Sequence, residues 1–167
     1  MATRPGIRVS DQFVEENPDA DPTATELVIN LLTTAALVEH HLERLLREHG
    51  LTLGSFKLLQ VIAGAEEPLT PGQIRSRVEV PVTTATVTGV LDTLERSGLV
   101  RRGPHPTDRR RVLVAATARG RASLTQLMPD LLEGEKLWTS ALSPADRRRA
   151  ADHLGALGDA LRALPTA

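Results

Sequence analysis

A mainly α-helical fold, interrupted once by an antiparallel hairpin, is what this sequence predicts, and three observations carry it. Apolar residues step by three and four through long stretches at both ends of the chain. Two shorter helical segments with threonine start signals fill the middle. After Gly98 the period changes to two in LVRR and RRVLVA, which read as short strands joined by the loop GPHPTDR. Together these give a winged helix-turn-helix with a two- to three-stranded antiparallel wing, and terminal helices forming a dimerisation region. Residues 1–22 read as a mobile tail and 23–164 as a single domain. Within it, 51–117 form the winged-helix part, and 23–50 and 118–164 the dimerisation helices.

The elements follow in order. The opening MATRPGIRVSDQFVEENPDADP is polar and acidic with no apolar period, hence the tail. Thr23 and Glu26 are spaced as a capping box before a long helix, whose Val28, Leu31, Ala35, Val38, Leu42 and Leu45 form one stripe that stops at Gly50. LTLGSFKLLQVIAGAEE predicts a second helix capped by Thr52. LTPGQIRSRVEV predicts a third, with Thr70 as cap, Pro71 at the first helical position and Gln73 completing the box. A fourth runs from Thr83 as cap to Gly98 as terminator. Its Val87, Val90, Leu91 and Leu94 share one face, while Ala85, Thr88, Gly89, Asp92 and Arg96 occupy the other. Beyond the hairpin, Thr117 caps a fifth helix through Leu124, Leu127, Leu131 and Trp138. Ser143, Pro144 and Asp146 open a sixth, in which Ala150, Leu154, Leu157, Leu161 and Leu164 recur.

Composition narrows the chemistry. The chain has no Cys and no Tyr, and 2% of its residues are aromatic. Thiolate metal sites, disulfides and thiol redox switching are therefore excluded. No nucleophile elbow, phosphate loop, dinucleotide fingerprint or His/Glu metal spacing occurs, so neither an enzyme nor a cofactor is indicated. The start lacks the apolar core of a signal peptide and no run has the length of a membrane span, so a cytoplasmic location is expected. The formal net charge of −1 conceals a segregation. Residues 68–117 hold eight arginines against four acids, a local +4 that leaves −5 elsewhere, as expected of a chain that turns one face to a polyanion.

That face is the middle of the chain. A helix enters the major groove only if its outward side is slim, and a hairpin beside it reaches the backbone or the minor groove. Thr84, Ala85, Thr86, Thr88, Gly89 and Arg96 are the candidate contacts on the fourth helix: hydroxyls for phosphates, and methyls for thymine. On the hairpin they are Arg102, Asp108, Arg109, Arg110 and Arg111, with prolines limiting the freedom of the tip. Arg101 and Arg102 alternate in a strand, so only one of them faces the duplex. Arg75 and Arg77 suit either solvent or phosphate. The expected partner is double-stranded DNA.

Residues 86–120, TVTGVLDTLERSGLVRRGPHPTDRRRVLVAATARG, resemble the signature of the MarR family of transcriptional regulators. Thr88, the pair Leu94 and Glu95, Gly98, the Asp108-x-Arg110 motif, Thr117 and Gly120 match without a gap. The resemblance implies that the first and last helices build a homodimer, that the fourth helix reads the major groove, and that Asp108 orients Arg110 toward the minor groove. It also implies a ligand-responsive repressor on an inverted-repeat operator. Two departures stand out: Ala115 and Ala116 replace a larger residue and a leucine, and Gly89 stands where the family often has an arginine.

Effectors in that family bind the cleft between the dimer base and the winged helix. Here His40, His41, Arg44 and Trp138 are the candidates for holding a small organic molecule. Zinc control is disfavoured, because His40 and His41 point about 100° apart on a helix and no His or Cys lies four residues from either. The competing function is a winged-helix protein-interaction module without specific DNA binding. Asp92 on the reading face and the near-neutral net charge speak for it; salt-dependent binding of a duplex separates the two.

Overall fold

The computed structural model describes residues 6–78, 83–108 and 110–165. Among these residues seven helices and one hairpin follow in the order α1 Asp11–Glu16, α2 Pro22–Glu48, α3 Leu53–Ala63, α4 Pro71–Arg77, α5 Thr84–Arg96, β1 Val100–Pro104, β2 Val112–Ala116, α6 Ala118–Trp138 and α7 Pro144–Arg162. The fold class is the expected one. The last residues expected for the third helix, Glu79 and Val80, lie outside the described residues. The chain divides into two compact units, one of residues Ala35–Leu131 and one of residues up to Thr34 together with those from Leu132 onward.

The Ala35–Leu131 unit contains the core. Leu46, Leu59, Ile74, Leu91, Leu94, Val114 and Leu127 are fully buried in it, and Val87, Leu91 and Leu94 supply the inward side of α5. Each helix start here follows a local rule. The hydroxyls of Thr52, Thr70 and Thr83 accept the N–H of the residue three further on, and Gln73 returns the bond to the Thr70 N–H at 2.8 Å. The helix ends are equally legible. Gly50 and Gly98 take φ of 69° and 68°, and the next residues, Leu51 and Leu99, donate back to Leu46 and Leu94 at 2.9 Å. Both form a Schellman motif with its buried apolar residue.

The hairpin is antiparallel with Val100 opposite Ala116 and Pro104 opposite Val112. Leu69 adds a one-residue third strand: it donates to Val114 at 3.0 Å and accepts from it at 2.8 Å. Thr117 then ties the hairpin to α6. Its hydroxyl donates to Gly98 O at 2.7 Å and accepts from Gly120 N–H at 3.0 Å, while its own N–H reaches Leu99 O at 3.0 Å. Gly120 lies so close to Leu99 that a Cβ there would overlap the Leu99 carbonyl.

The other unit departs from expectation at its start. Where a mobile tail was expected, Ser10 caps α1 and residues 7–9 run against α2. Asn30 grips the Ile7 backbone from both sides, accepting its N–H at 2.8 Å and donating to its carbonyl at 2.9 Å. Glu26 accepts from Arg8 at 2.5 Å and from Val9 N–H at 3.2 Å. Glu26 is thus used for a tertiary contact rather than for the expected capping box with Thr23. Asp21 caps α2 instead: it accepts from the Thr23 hydroxyl at 2.7 Å and from two backbone N–H groups. These bonds, the hydroxyl's first, hold its carboxyl below the usual range. At α7, Ser143 caps as expected, and its hydroxyl followed by Arg149 lowers the Asp146 carboxyl likewise. Gly134 leaves room for the indole of Trp138, whose nearest ring atom would stand 3.0 Å from a Cβ there. Among the described residues this unit buries no side chain completely, and α7 contains no buried residue.

Candidate nucleic-acid interface

Helix α5 turns Thr84, Ala85, Thr86, Thr88, Gly89 and Arg96 outward, all exposed. Nothing stands within 4 Å of a Cβ built at Gly89, so this stretch is a flat, open strip. Several hydroxyls already have bonds inside the chain. Thr83 and Thr86 hydroxyls meet at 2.8 Å, Thr88 donates to Thr84 O at 3.0 Å, and Arg75 donates to the Thr84 hydroxyl at 2.8 Å. Arg75 therefore links α4 to the start of α5. The strip presents methyls and remaining lone pairs at fixed positions, which suits close approach to base edges.

The wing tip is shaped by Asp108. Its carboxylate accepts the Arg110 N–H at 3.0 Å and its carbonyl accepts the Arg111 N–H at 3.0 Å. His105 closes the neck by donating to Arg111 O at 3.2 Å. Asp108 thus sets the backbone at Arg110, an Asx-type turn, and it bonds the main chain of Arg110 rather than its guanidinium. Arg110 and Arg111 are exposed, and among the described residues neither guanidinium has a bonded partner. Arg109 lies outside the described residues.

Arg102 is placed differently. It bridges Asp92 at 2.7 Å and Glu95 at 2.9 Å, with its side chain 28% exposed, and Glu95 also accepts the Arg102 N–H at 3.3 Å. The wing root is thereby fastened to α5, and this arginine's charge faces two acids. Asp92, the residue that most favoured a protein-interaction surface, is one of those acids. Sequence reasoning missed this lock, although Asp92 and Glu95 sit three apart on one helical face just before the strand. Either Arg102→Ala or Glu95→Ala is expected to cost about 1 kcal/mol, the scale of a partly exposed charge-assisted pair. The double substitution should cost clearly less than the sum of the singles. Additive values in a denaturant-unfolding cycle would show that the bridge contributes nothing.

The effector candidates fall in two units. His40, His41 and Arg44 are exposed on α2 in the Ala35–Leu131 unit, the two imidazoles edge to face at 5.6 Å, and Trp138 belongs to the other unit. A cavity of about 330 Å³ opens where Leu42 of α2 meets Leu53, Phe56 and Val61 of α3, with Lys57 and Arg77 among its lining residues. Among the described residues no group of three His, Asp or Glu side chains is placed to hold a metal ion, and no helix is long and apolar enough to cross a membrane.

Known proteins resemble this arrangement. The family model described as MarR family matches residues 49–111. The transcriptional repressor YetL of Bacillus subtilis (strain 168) is 33% identical over 119 residues, which is 71% of this chain and 70% of YetL. The transcriptional regulator PecS of Dickeya dadantii (strain 3937) is 29% identical over 156 residues, 90% of each chain. Among solved structures, a mutant MarR from E. coli complexed with operator DNA superposes with a TM-score of 0.72 at 25% identity, covering 89% of this chain and 99% of that one.

Proposed function

Because the chain belongs to the MarR family of transcriptional regulators, we propose that it acts as a DNA-binding repressor, a homodimer that sets two α5 helices and two wings on an inverted-repeat operator. The observation that carries this reading is the pairing of an open α5 strip with an Asp108-shaped wing tip whose Arg110 and Arg111 are exposed. The solved complex of the E. coli relative with operator DNA supports it. Two recognition helices of a dimer engage half-sites about 34–36 Å apart, so the spacing between helices controls affinity.

The dimer is supported by what the chain leaves uncovered. Leu154 and Leu161 on α7 are 51% and 57% exposed, and Leu32 and Leu137 more so. Apolar helix faces of this kind are covered by a partner, here a second copy. For an effector, the cavity at Leu42, Phe56 and Val61 with Lys57 and Arg77 fits a small apolar acid. Such a ligand shifts operator affinity only by binding one arrangement of the protein better than the other.

Selection of bound duplexes from a random pool, followed by anisotropy titration across salt, tests the reading; failure to enrich any sequence would overturn it. Arg110→Ala is expected to weaken operator binding by about 1–3 kcal/mol and to reduce the salt slope by about one phosphate. Arg102→Ala should also weaken binding, by loosening the wing root, while leaving that slope unchanged. A slope lost with Arg102 would make it a phosphate contact instead.

A further inference from the structure

The hairpin has a second face. Arg102 turns to α5, so Arg101 and its register partner Ala115 lie on the opposite side. There the small side chain of Ala115, with Ala116 and Ile62 also among the lining residues, leaves an opening of about 180 Å³. Four charges line it as well: Glu66 and Glu67 from the segment after α3, Arg101 from β1 and Arg121 from α6. Among the described residues no ion pair joins these four. Arg121 is anchored by donating to Ala63 O at 2.5 Å, which leaves other guanidinium N–H groups for a ligand.

We propose that this opening binds a free α-amino acid with a small or branched aliphatic side chain. Two carboxylates against two guanidiniums leave the lining neutral, which matches a zwitterion and gives no advantage to a simple anion or cation. An ammonium group pairs with Glu66 or Glu67, and a carboxylate takes the fork of Arg101 or Arg121. The wall at Ala115 receives the side chain. A bound amino acid would also brace the wing root, because the segment bearing Glu66 and Glu67 leads into Leu69, which is hydrogen-bonded to Val114.

Calorimetric titration of the full chain, without DNA, tests this independently of operator binding. L-valine and L-leucine are expected to bind saturably at one site per chain. N-acetyl-L-leucine and L-leucinamide, each lacking one charge, should bind about tenfold more weakly, as when a charged group loses its partner. Ala115→Leu, filling the opening from a half-buried strand position, should abolish binding with the helical circular dichroism retained. If that variant does not fold, Arg101→Ala at an exposed position should weaken L-leucine by a similar factor. No saturable heat with either amino acid, equal affinity for the capped forms, or unchanged affinity in the folded variants would each overturn the proposal.

Discussion

Gly120→Ala is expected to destabilise the chain by about 3 kcal/mol, the upper end of what overpacking a close-packed interior costs. The sign is informative, because alanine is the better helix former by roughly 1 kcal/mol and would stabilise an open helical site. At residue 120 the new methyl overlaps the Leu99 carbonyl and crowds Leu59 Cδ1 at 3.3 Å. Neither can yield easily: Leu99 O accepts the Thr117 N–H, and Leu59 is fully buried. Relief would move α6 away from the wing root and strain the Thr117 bonds to Gly98 and Gly120. Urea unfolding followed by circular dichroism checks this, and an unchanged or raised midpoint would show that the junction is looser than its geometry.

Leu154→Asp combined with Leu161→Asp is expected to separate the protein into monomers and lower operator affinity by on the order of 100-fold or more, since a single half-site forgoes the second set of contacts. Within one chain both leucines are more than half exposed, so in a monomer the two aspartates should change stability by no more than about 0.5 kcal/mol each. In a shared apolar seam they become unpaired carboxylates removed from water, which is severely costly. The predicted loss thus comes from the partner chain. Sedimentation of parent and variant decides it: a parent that already runs as a monomer, or a variant that remains a dimer, contradicts the shared interface.

The parts of this fold that were readable from sequence are those governed by short-range rules. Thr52, Thr70, Thr83 and Ser143 cap where their spacing says, and Gly50 and Gly98 end helices because each adopts positive φ. The switch to a two-residue period located the hairpin for the same reason. What escaped depended on distant residues. The segment before Pro22 has no apolar period of its own, and its order comes from Asn30 and Glu26, 23 and 17 residues further along the chain. That use of Glu26 also removed it from the helix start, where Asp21 was the closer competitor. In the candidate interface, strand alternation established that Arg101 and Arg102 face opposite ways. It did not reveal that the side toward α5 holds Asp92 and Glu95, so Arg102 read as a contact and not as a fastening. Asp108 was identified, but which part of Arg110 it binds depends on loop geometry that no spacing encodes.

Trp138, seated over Gly134 near the end of α6, has an optical consequence. It is the single tryptophan in a chain without tyrosine, so intrinsic emission excited at the red edge of protein absorption comes from one indole with little background. That indole belongs to the unit of residues from Leu132 onward, whereas the fully buried core is in the other unit. Ellipticity averages over every helix, but emission samples this one location. If unfolding is all-or-none, the two signals trace a single normalised curve. An emission change that precedes the main loss of ellipticity would instead show the Trp138 unit melting while the winged-helix core is still folded, without any label being added to the protein.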